Sequence, residues 1–202
     1  MAINKLVMAA LKALSYPDID IKRNYKWERQ VENVAHYHYL KPFYKAWDHK
    51  VSCGDHEVPV RIFSPPGRMR HAILLFFHGG GWVLGGIGSC ARFCAELAAA
   101  GHVLVLAADY RLAPEHPFPQ GLDDCMRAVE TALRRASEWG GSPERVSVGG
   151  DSSGGNLALA VALRRRAEGL PPLRSLVLFY PVVTARADGS ASWKRYGQGV
   201  WG

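Results

Sequence analysis

Several signatures of particular protein classes are absent from this 202-residue sequence. It has four cysteines, Cys53, Cys90, Cys94 and Cys125, with no CxxC pair and no spacing to histidine that is typical of zinc sites. Cys90 and Cys94 lie four residues apart in a predicted helix, where we expect reduced, buried side chains. The cysteine content therefore calls for neither an oxidising compartment nor a metal.

Long apolar runs are also missing. The N-terminal stretch MAINKLVMAALKALSYPD is interrupted by Lys12, and no small-residue cleavage site follows it. It predicts a short amphipathic helix, and neither a signal peptide nor a membrane span. We therefore expect a cytoplasmic protein.

Acidic side chains are fewer than basic ones, 18 against 25, which gives a formal net charge of +7. A nucleic-acid-binding protein would concentrate this excess on one surface, but the basic residues here are scattered. The densest groups are Lys22-Arg23, Arg134-Arg135 and Arg164-Arg165-Arg166. The last two lie near the ends of predicted helices, where cations complement the helix dipole. We predict solvated surface charge and no nucleic-acid partner.

The rest of the composition, with 48% hydrophobic and 21% charged residues, is ordinary for a globular protein. Two strand candidates, YKAWDHKVS and VPVRIFS, are joined through Gly54-Asp55 as a hairpin. Apolar strand candidates then alternate with amphipathic helix candidates, at 71–78, 89–100, 102–109, 121–139, 145–150, 153–168 and 174–181. This alternation predicts an α/β fold whose mostly parallel sheet carries helices on both faces. Residues 1–44 are predicted to form a helical cap or packing segment, and residues 45–202 the α/β core.

A glycine-rich and serine-rich segment connects a predicted strand to a predicted helix. Residues 150–154, GDSSG, fit the G-x-S-x-G motif in the context that this motif requires. A sharp turn at this point would strain the backbone of Ser152 and present its hydroxyl at a helix N-terminus, which favours negative charge. The alternative interpretation is a tight connection built from small residues.

A second glycine-rich segment, HGGGW at 78–82, ends the first apolar strand of the alternation. Its successive glycines leave backbone N–H groups unshielded, and acyl transfer needs such donors for the oxyanion that forms on an ester carbonyl. A phosphate cradle is the alternative, but the G-x-G-x-x-G register and a Walker-type lysine are both lacking. A third segment, DYRLAPEHPFP at 109–119, predicts a loop stiffened by prolines at the same edge of the sheet.

With these three segments in this order, the chain resembles the hormone-sensitive-lipase family of α/β-hydrolase carboxylesterases, the group that includes acetyl esterases and arylacetamide deacetylases. The likeness spans roughly residues 45–202, whereas residues 1–44 match only loosely, where such enzymes carry cap helices. The resemblance implies the α/β-hydrolase fold with its last strands missing from this chain. It also implies hydrolysis of small short- to medium-chain acyl esters without a metal or organic cofactor.

The resemblance further implies roles for individual residues. Ser152 would be the nucleophile, and the N–H groups of Gly80, Gly81 and Ser153 would form the oxyanion hole, with Gly79 shaping the loop. Family members usually have alanine in place of Ser153, and we expect the difference to matter little because the role belongs to the backbone. The aromatic side chains of Trp82 and Phe118 would line the substrate cavity. Seven motif residues would be architectural: His78, Asp109, Tyr110, Arg111, Glu115, Asp151 and Asn156.

The triad acid and histidine are not found. All eight histidines precede Ser152, and the only acids after it are Glu168 and Asp188. α/β-Hydrolases place the triad in the chain order Ser, acid, His, and the family's Asp-Pro-Leu-x-Asp motif is absent. The sequence thus predicts the N-terminal portion of a longer esterase, with impaired or absent activity. It also predicts a hydrophobic sheet edge at 174–181 that would favour self-association.

An upstream histidine, His116 or His78, is a poor substitute because neither is placed where the family's base approaches Ser152. Two other functions stay open. The plant gibberellin receptors resemble the same family, lack the catalytic histidine and bind a small acid in the former active site. A non-catalytic ligand-binding protein of that kind is therefore one alternative, and an inactive fragment is the other.

Overall fold

The computed structural model describes residues 24–31, 45–67, 70–184, 189–191 and 194. The chain divides into two compact units, one of residues 25–182 and one of residues 1–24 with 183–202. Of the second unit the structure describes little beyond a turn, in which the Lys194 N–H donates to the Ser190 carbonyl oxygen at 3.1 Å. The cap predicted for residues 1–44 falls mostly outside the described residues, except for a helical segment at 24–31, and the boundary at residue 45 stays a prediction.

Six strands of the described chain form one sheet in the order β1-β2-β4-β3-β5-β6. They are β1 (Lys45–Ser52), β2 (Glu57–Ser64), β3 (His71–Phe77), β4 (Leu104–Ala108), β5 (Gly141–Asp151) and β6 (Leu176–Phe179). β1 and β2 form the predicted hairpin, and β2 pairs antiparallel with β4. The pairs β3–β4, β3–β5 and β5–β6 are parallel, so the prediction of a mostly parallel sheet is confirmed.

Three long helices cover this sheet: α1 (Ile87–Gly101), α2 (Gln120–Arg135), which continues as a 3-10 turn at Ala136–Trp139, and α3 (Ser152–Ala167). Cys90 and Cys94 of α1 pack with Phe76 of β3 in one core. Val129 of α2 and Val161 of α3 pack in the other core. Successive side chains of β3 alternate between these two cores, as the pleat of a strand requires. The helices therefore lie on both faces, as predicted.

The order of the strands places the three sequence motifs side by side. β3 lies between β4 and β5, with Phe77 opposite Ala108 on one side and Gly150 on the other. Because parallel strands end at the same edge of a sheet, the segments that follow these strands begin as neighbours. The sheet thus collects residues 78–82, 109–119 and 150–154 at one edge.

β6 is the outer strand of the described sheet, next to β5 alone. Its side chains are exposed or half-buried, and Leu176 is 40% exposed. In the described ranges, every helix falls short of the length and apolar character that crossing a bilayer requires.

Candidate active site

Ser152 lies at the junction of β5 and α3 with a φ of 51°, a left-handed conformation that is uncommon for a residue with a side chain. Such strain costs about 1–3 kcal/mol and is typical of functional sites. The turn is possible because of its glycines: a Cβ at Gly150 would lie 2.5 Å from the Phe77 carbonyl oxygen, and one at Gly154 would overlap the carbonyls of Phe77 and His78. Ser152 remains half-buried at the start of α3.

The triple-glycine bend, residues 79–81, is attached to this turn at both of its ends. The Gly79 N–H donates to Asp151 Oδ1 at 2.9 Å, and the Trp82 N–H donates to Ser153 Oγ at 3.3 Å. These two partners are the residues immediately before and after Ser152. The backbone between the attachments therefore lies beside the predicted nucleophile.

Glycine is required in the bend for steric reasons as well. The Gly80 carbonyl oxygen accepts the N–H groups of Val83 at 3.1 Å and Leu84 at 2.8 Å, which closes a tight turn. Gly80 has a φ of 120°, and an added Cβ would overlap the Leu84 carbonyl oxygen. Gly81 has a φ of 62°, and the position of its Cβ is open space. The turn thus leaves one side of the bend accessible.

His78 is buried beneath the bend and held by its neighbours. Its Nδ1 lies 2.8 Å from the Gly79 carbonyl oxygen, and its ring stacks on Tyr110 with centroids 4.4 Å apart. Because a carbonyl oxygen only accepts, Nδ1 carries the hydrogen. Nε2 lies 3.9 Å from Asp109 Oδ1. These contacts give His78 the surroundings of a bracing residue.

Tyr110 connects the end of β4 to the bend, since its hydroxyl donates to the His78 carbonyl oxygen at 2.7 Å. Burial raises the pKa of Tyr110 well above 10.0, so the hydroxyl remains a donor at neutral pH. Desolvation by the surrounding chain also raises the pKa of Asp109, against the opposing effects of His78 and the Ile87 N–H. Asp109 is partly exposed at the rim of the site, whereas Tyr110 is buried in the core.

A cavity of about 300 Å³ opens between Trp82, the 109–119 segment, α2 and α3, and neither Ser152 nor residues 79–81 are among its lining residues. Its walls are mostly apolar and include Leu122, Leu157 and Ala160. Trp82 and Phe118 line it and are 39% and 84% exposed. Asn156 is another lining residue, and its Nδ2 donates to the Val182 carbonyl oxygen at 2.7 Å. The cavity suits a small apolar group.

A second polar cluster joins the 109–119 segment to the β1–β2 hairpin. Arg111 donates to Asp124 through Nη2 at 2.8 Å, Nε at 2.9 Å and its backbone N–H at 2.9 Å. His56 Nε2 lies 2.8 Å from Asp124 Oδ1, and Nδ1 lies 2.7 Å from Asp55 Oδ1. The bonds to Asp55 and then Asp124 raise the pKa of His56. Burial opposes ionisation of Asp124, but its bonds to Arg111 and His56 outweigh burial and lower its pKa.

Cys53 extends this cluster, and with His56 and Asp124 it offers three possible metal ligand atoms within 4.8 Å of one another. The sequence analysis missed this grouping because Asp124 comes from a distant helix. The donor types suit zinc, yet both ring nitrogens of His56 face carboxylates and Asp124 already binds Arg111. We interpret the cluster as a hydrogen-bond network that fixes the hairpin to α2.

Replacing Asp124 with asparagine should lower the free energy of unfolding at pH 7 by about 2–3 kcal/mol. This is less than the 3–5 kcal/mol of a fully buried pair, because Arg111 is partly exposed. Since the pKa of Asp124 is lowered from 3.8 on folding, the stabilisation is present above that value and is lost as the pH falls through the folded pKa. Urea unfolding at pH 7 and in acid measures both effects.

Asp123→Asn is the matched control. Asp123 is half exposed and pairs with Arg164 at 2.5 Å, so its replacement should cost less than about 1 kcal/mol. Equal losses of unfolding free energy in Asp124→Asn and Asp123→Asn would contradict the larger contribution of the buried Asp124 carboxylate.

Glu115 and Arg29 also lie at the rim, and of these two only Glu115 was predicted. The predicted Glu115 carboxylate pairs with Arg29 Nη1 at 3.2 Å. Arg29 belongs to the helical segment 24–31, which contains no recognisable motif. His116, the possible substitute base, is exposed, and its Nδ1 lies 3.0 Å from Gln120 Oε1.

Known proteins resemble this chain in sequence and in structure. Residues 74–201 match the family described as alpha/beta hydrolase fold. Carboxylesterase NlhH of Mycobacterium tuberculosis is 41% identical over 130 residues, which are 64% of this chain and 41% of that protein. The chain therefore spans about two fifths of the length of this relative.

Two solved structures extend the similarity to nearly the whole chain. The hyperthermophilic esterase from the archaeon Pyrobaculum calidifontis has a TM-score of 0.83 at 27% identity, covering 98% of this chain and 65% of its own. An arylesterase structure has a TM-score of 0.85 at 32% identity, covering 98% of this chain and 66% of its own.

Proposed function

The chain belongs to the alpha/beta hydrolase family, and from this we propose that it is a carboxylic ester hydrolase with Ser152 as its nucleophile. The carboxylesterase relative and the esterase structures support the reaction class. The observation that carries the proposal is the attachment of the bend on both sides of Ser152, through Asp151 and Ser153. These bonds hold backbone donors beside a hydroxyl at a helix N-terminus, which is what acyl transfer requires.

In the proposed reaction, Ser152 Oγ attacks the carbonyl carbon of the ester while its proton passes to a base. The carbonyl oxygen becomes an oxyanion that accepts hydrogen bonds from the N–H groups of Gly80, Gly81 and Ser153. Collapse of this intermediate breaks the bond to the alcohol, which leaves with a proton, and forms an acyl ester on Ser152. Water then hydrolyses that ester. Each oxyanion donor would lower the barrier by about 2.7–4 kcal/mol.

Among the residues that the structure describes, none is a good candidate for the base. No histidine follows Ser152 in the sequence. His78 is bonded through Nδ1 to Gly79, and His116 through Nδ1 to Gln120. A general base contributes about 10²–10⁴ in rate, so this chain should react slowly at Ser152 and turn over feebly.

The cavity indicates the class of substrate. Its volume of about 300 Å³ lies at the small end for ligand sites, and its walls are mostly apolar. Trp82 and Phe118 at its surface would contact the substrate. We therefore propose small uncharged esters with short to medium acyl chains.

The test is the reaction of the 202-residue chain with a p-nitrophenyl alkyl phosphonate, together with hydrolysis of p-nitrophenyl butyrate. We expect one equivalent of p-nitrophenolate per chain, the phosphonyl group on the peptide that contains Ser152, and slow hydrolysis of the ester. Absence of labelling, or labelling at another residue, would reject the proposal.

A second candidate function is reversible binding of a small molecule without catalysis. It is favoured by the mostly apolar cavity, which could hold a small molecule without any reaction at Ser152. Saturable binding of a small apolar acid without phosphonylation would support this alternative. A chain that neither binds nor reacts would be the inactive fragment.

We also propose that copies of the chain associate through the outer edge of β6, which among the described residues pairs with β5 alone and has half-buried or exposed apolar side chains. Sedimentation velocity should show a mass that rises with concentration. Leu176→Lys should reduce association, while Leu163→Lys, at a 56% exposed position on α3, should not. A monomer at all concentrations would contradict the proposal. Cytoplasmic residence stays a prediction.

A further inference from the structure

Arg29 binds three groups on two different segments of the rim. Its Nε donates to the Val83 carbonyl oxygen at 2.8 Å, and its Nη2 donates to the Ala113 carbonyl oxygen at 2.8 Å. Its Nη1 lies 3.2 Å from both carboxylate oxygens of Glu115. The guanidinium also stands over the Tyr25 ring, 4.8 Å from its centroid. One side chain thus joins the helical segment 24–31 to both rim segments.

The two segments that Arg29 joins also contact each other directly. The Ala113 N–H donates to the Trp82 carbonyl oxygen at 2.9 Å. Arg29 bonds to the carbonyl oxygens of the next residue, Val83, and of Ala113 itself. The guanidinium therefore reinforces the junction that this backbone hydrogen bond forms.

This junction leads to the proposed oxyanion hole through a short chain of contacts. Val83, whose carbonyl Arg29 holds, donates its own N–H to the Gly80 carbonyl oxygen at 3.1 Å, next to the Leu84 N–H at 2.8 Å. These bonds set the orientation of the Gly80–Gly81 peptide. The other attachments of the bend are the bonds from Gly79 to Asp151 and from Trp82 to Ser153. Without Arg29, the exit of the turn at Val83 would lose a charged hydrogen bond.

The shape of the guanidinium suits this task. Its rigid planar fork presents donors in three directions at once, whereas a lysine ammonium is a point charge on a flexible stem. The Arg29 side chain is 23% exposed, so its hydrogen bonds are shielded from much of the solvent. Lysine could keep the attraction to Glu115 but could not hold both carbonyl oxygens in the same geometry.

We propose that Arg29 is a positioning residue for the oxyanion hole: it holds Val83 and Ala113 together and thereby fixes the direction of the Gly81 N–H group. The helical segment 24–31 is thus part of the reacting site and not only a cover. This inference rests on the proposed role of Ser152 as nucleophile.

The experiment compares the whole chain with its variants Arg29→Lys and Arg29→Met. Arg92→Lys is the control, because Arg92 is an exposed arginine that pairs with Glu96 on α1. Three quantities are measured well below the melting temperature: the rate of Ser152 phosphonylation, the affinity for the unreactive amide N-(4-nitrophenyl)butyramide, and hydrogen exchange at the Val83 and Leu84 amides.

Loss of one complete donor typically costs about 10²–10³ in rate, so displaced donors should slow phosphonylation by about 10-fold or more in both Arg29 variants. The amide should bind with an affinity within about threefold of the original, because it develops no oxyanion. Exchange at Val83 and Leu84 should accelerate in both variants, and Arg92→Lys should change none of the three quantities.

Equal falls in phosphonylation rate and amide affinity would overturn the inference, because they would indicate a general loss of structure. Unchanged exchange at Val83 and Leu84 in Arg29→Met would overturn it as well. If the original chain is not phosphonylated, the proposed function fails, and hydrogen exchange alone decides whether Arg29 holds the bend.

Discussion

Ser152→Ala should abolish phosphonylation, from one equivalent per chain to none, and reduce ester hydrolysis to the background rate. The reason is that alanine has no oxygen to form the bond to phosphorus or to the acyl carbon. The bend, the cavity and α3 should be unaffected, because the Ser152 side chain is only half-buried. Intact-mass spectrometry counts the phosphonyl groups, and released p-nitrophenolate measures hydrolysis.

The neighbouring serine provides a matched comparison. Ser153 is fully buried, and its hydroxyl accepts the Trp82 N–H at 3.3 Å. Ser153→Ala removes this hydrogen bond, which is worth about 0.5–1.5 kcal/mol. Labelling of Ser152 should therefore continue at a rate lowered by about 2- to 10-fold. The family resemblance assigned a role only to the backbone of Ser153, and the structure adds this contact of its hydroxyl. Undiminished labelling of Ser152→Ala would show that the phosphonyl group attaches elsewhere.

Gly154→Ala should prevent folding or lower the free energy of unfolding by about 3 kcal/mol or more. The added Cβ would overlap the carbonyl oxygens of Phe77 and His78, which belong to the backbone at the end of β3 and cannot rotate away. Relief would require α3 to move off the sheet, at the point where β3 pairs with β5. Such overpacking against rigid backbone belongs to the most destabilising class of substitution.

Alanine substitutions at two other helical glycines, Gly101 and Gly155, should lower the free energy of unfolding less than Gly154→Ala does. At Gly101 an added Cβ would meet Val103 Cγ2 at 3.5 Å, an ordinary contact, so Gly101→Ala should be neutral or stabilise by up to about 1 kcal/mol. At Gly155 the nearest atoms are the Gly150 carbonyl oxygen and Pro181 Cβ, both at 3.0 Å, and the loss of stability in Gly155→Ala should fall between those of Gly101→Ala and Gly154→Ala. Urea unfolding measures the series. Gly154→Ala and Gly101→Ala variants of equal stability would contradict this account of the turn.

The fold could be predicted to a large extent because its signals are local. The run HAILLFF forms β3 because the side chains of residues 73–77 are buried between two layers of helix. α2 is predictable from apolar residues such as Leu122, Met126 and Val129, which recur at helical spacing and are buried. The position of β3 between β4 and β5 was not predicted, because the order of strands depends on pairings that adjacent residues do not encode.

The candidate site likewise has features that the sequence predicted and contacts that it did not predict. The motif around Ser152 is visible in the sequence because close approach to Phe77 and His78 excludes every side chain at Gly150 and Gly154. The Arg29 bonds to Val83 and Ala113 were missed, as was the His56–Asp124 contact. These pairs are separated by 54, 84 and 68 positions, and no residue pattern marks such partners in advance.

The sequence by itself determined the kinds of element, the three segments that carry chemistry and the serine that stands out among them. The reason is that burial, helical spacing and the steric demands of tight turns act on neighbouring residues. Only the tertiary structure decided that the bend is attached on both sides of Ser152 and that Arg29, from the helical segment 24–31, bonds to Val83 and Ala113. Those contacts arise when distant parts of the chain pack together, and their geometry exists only after that packing.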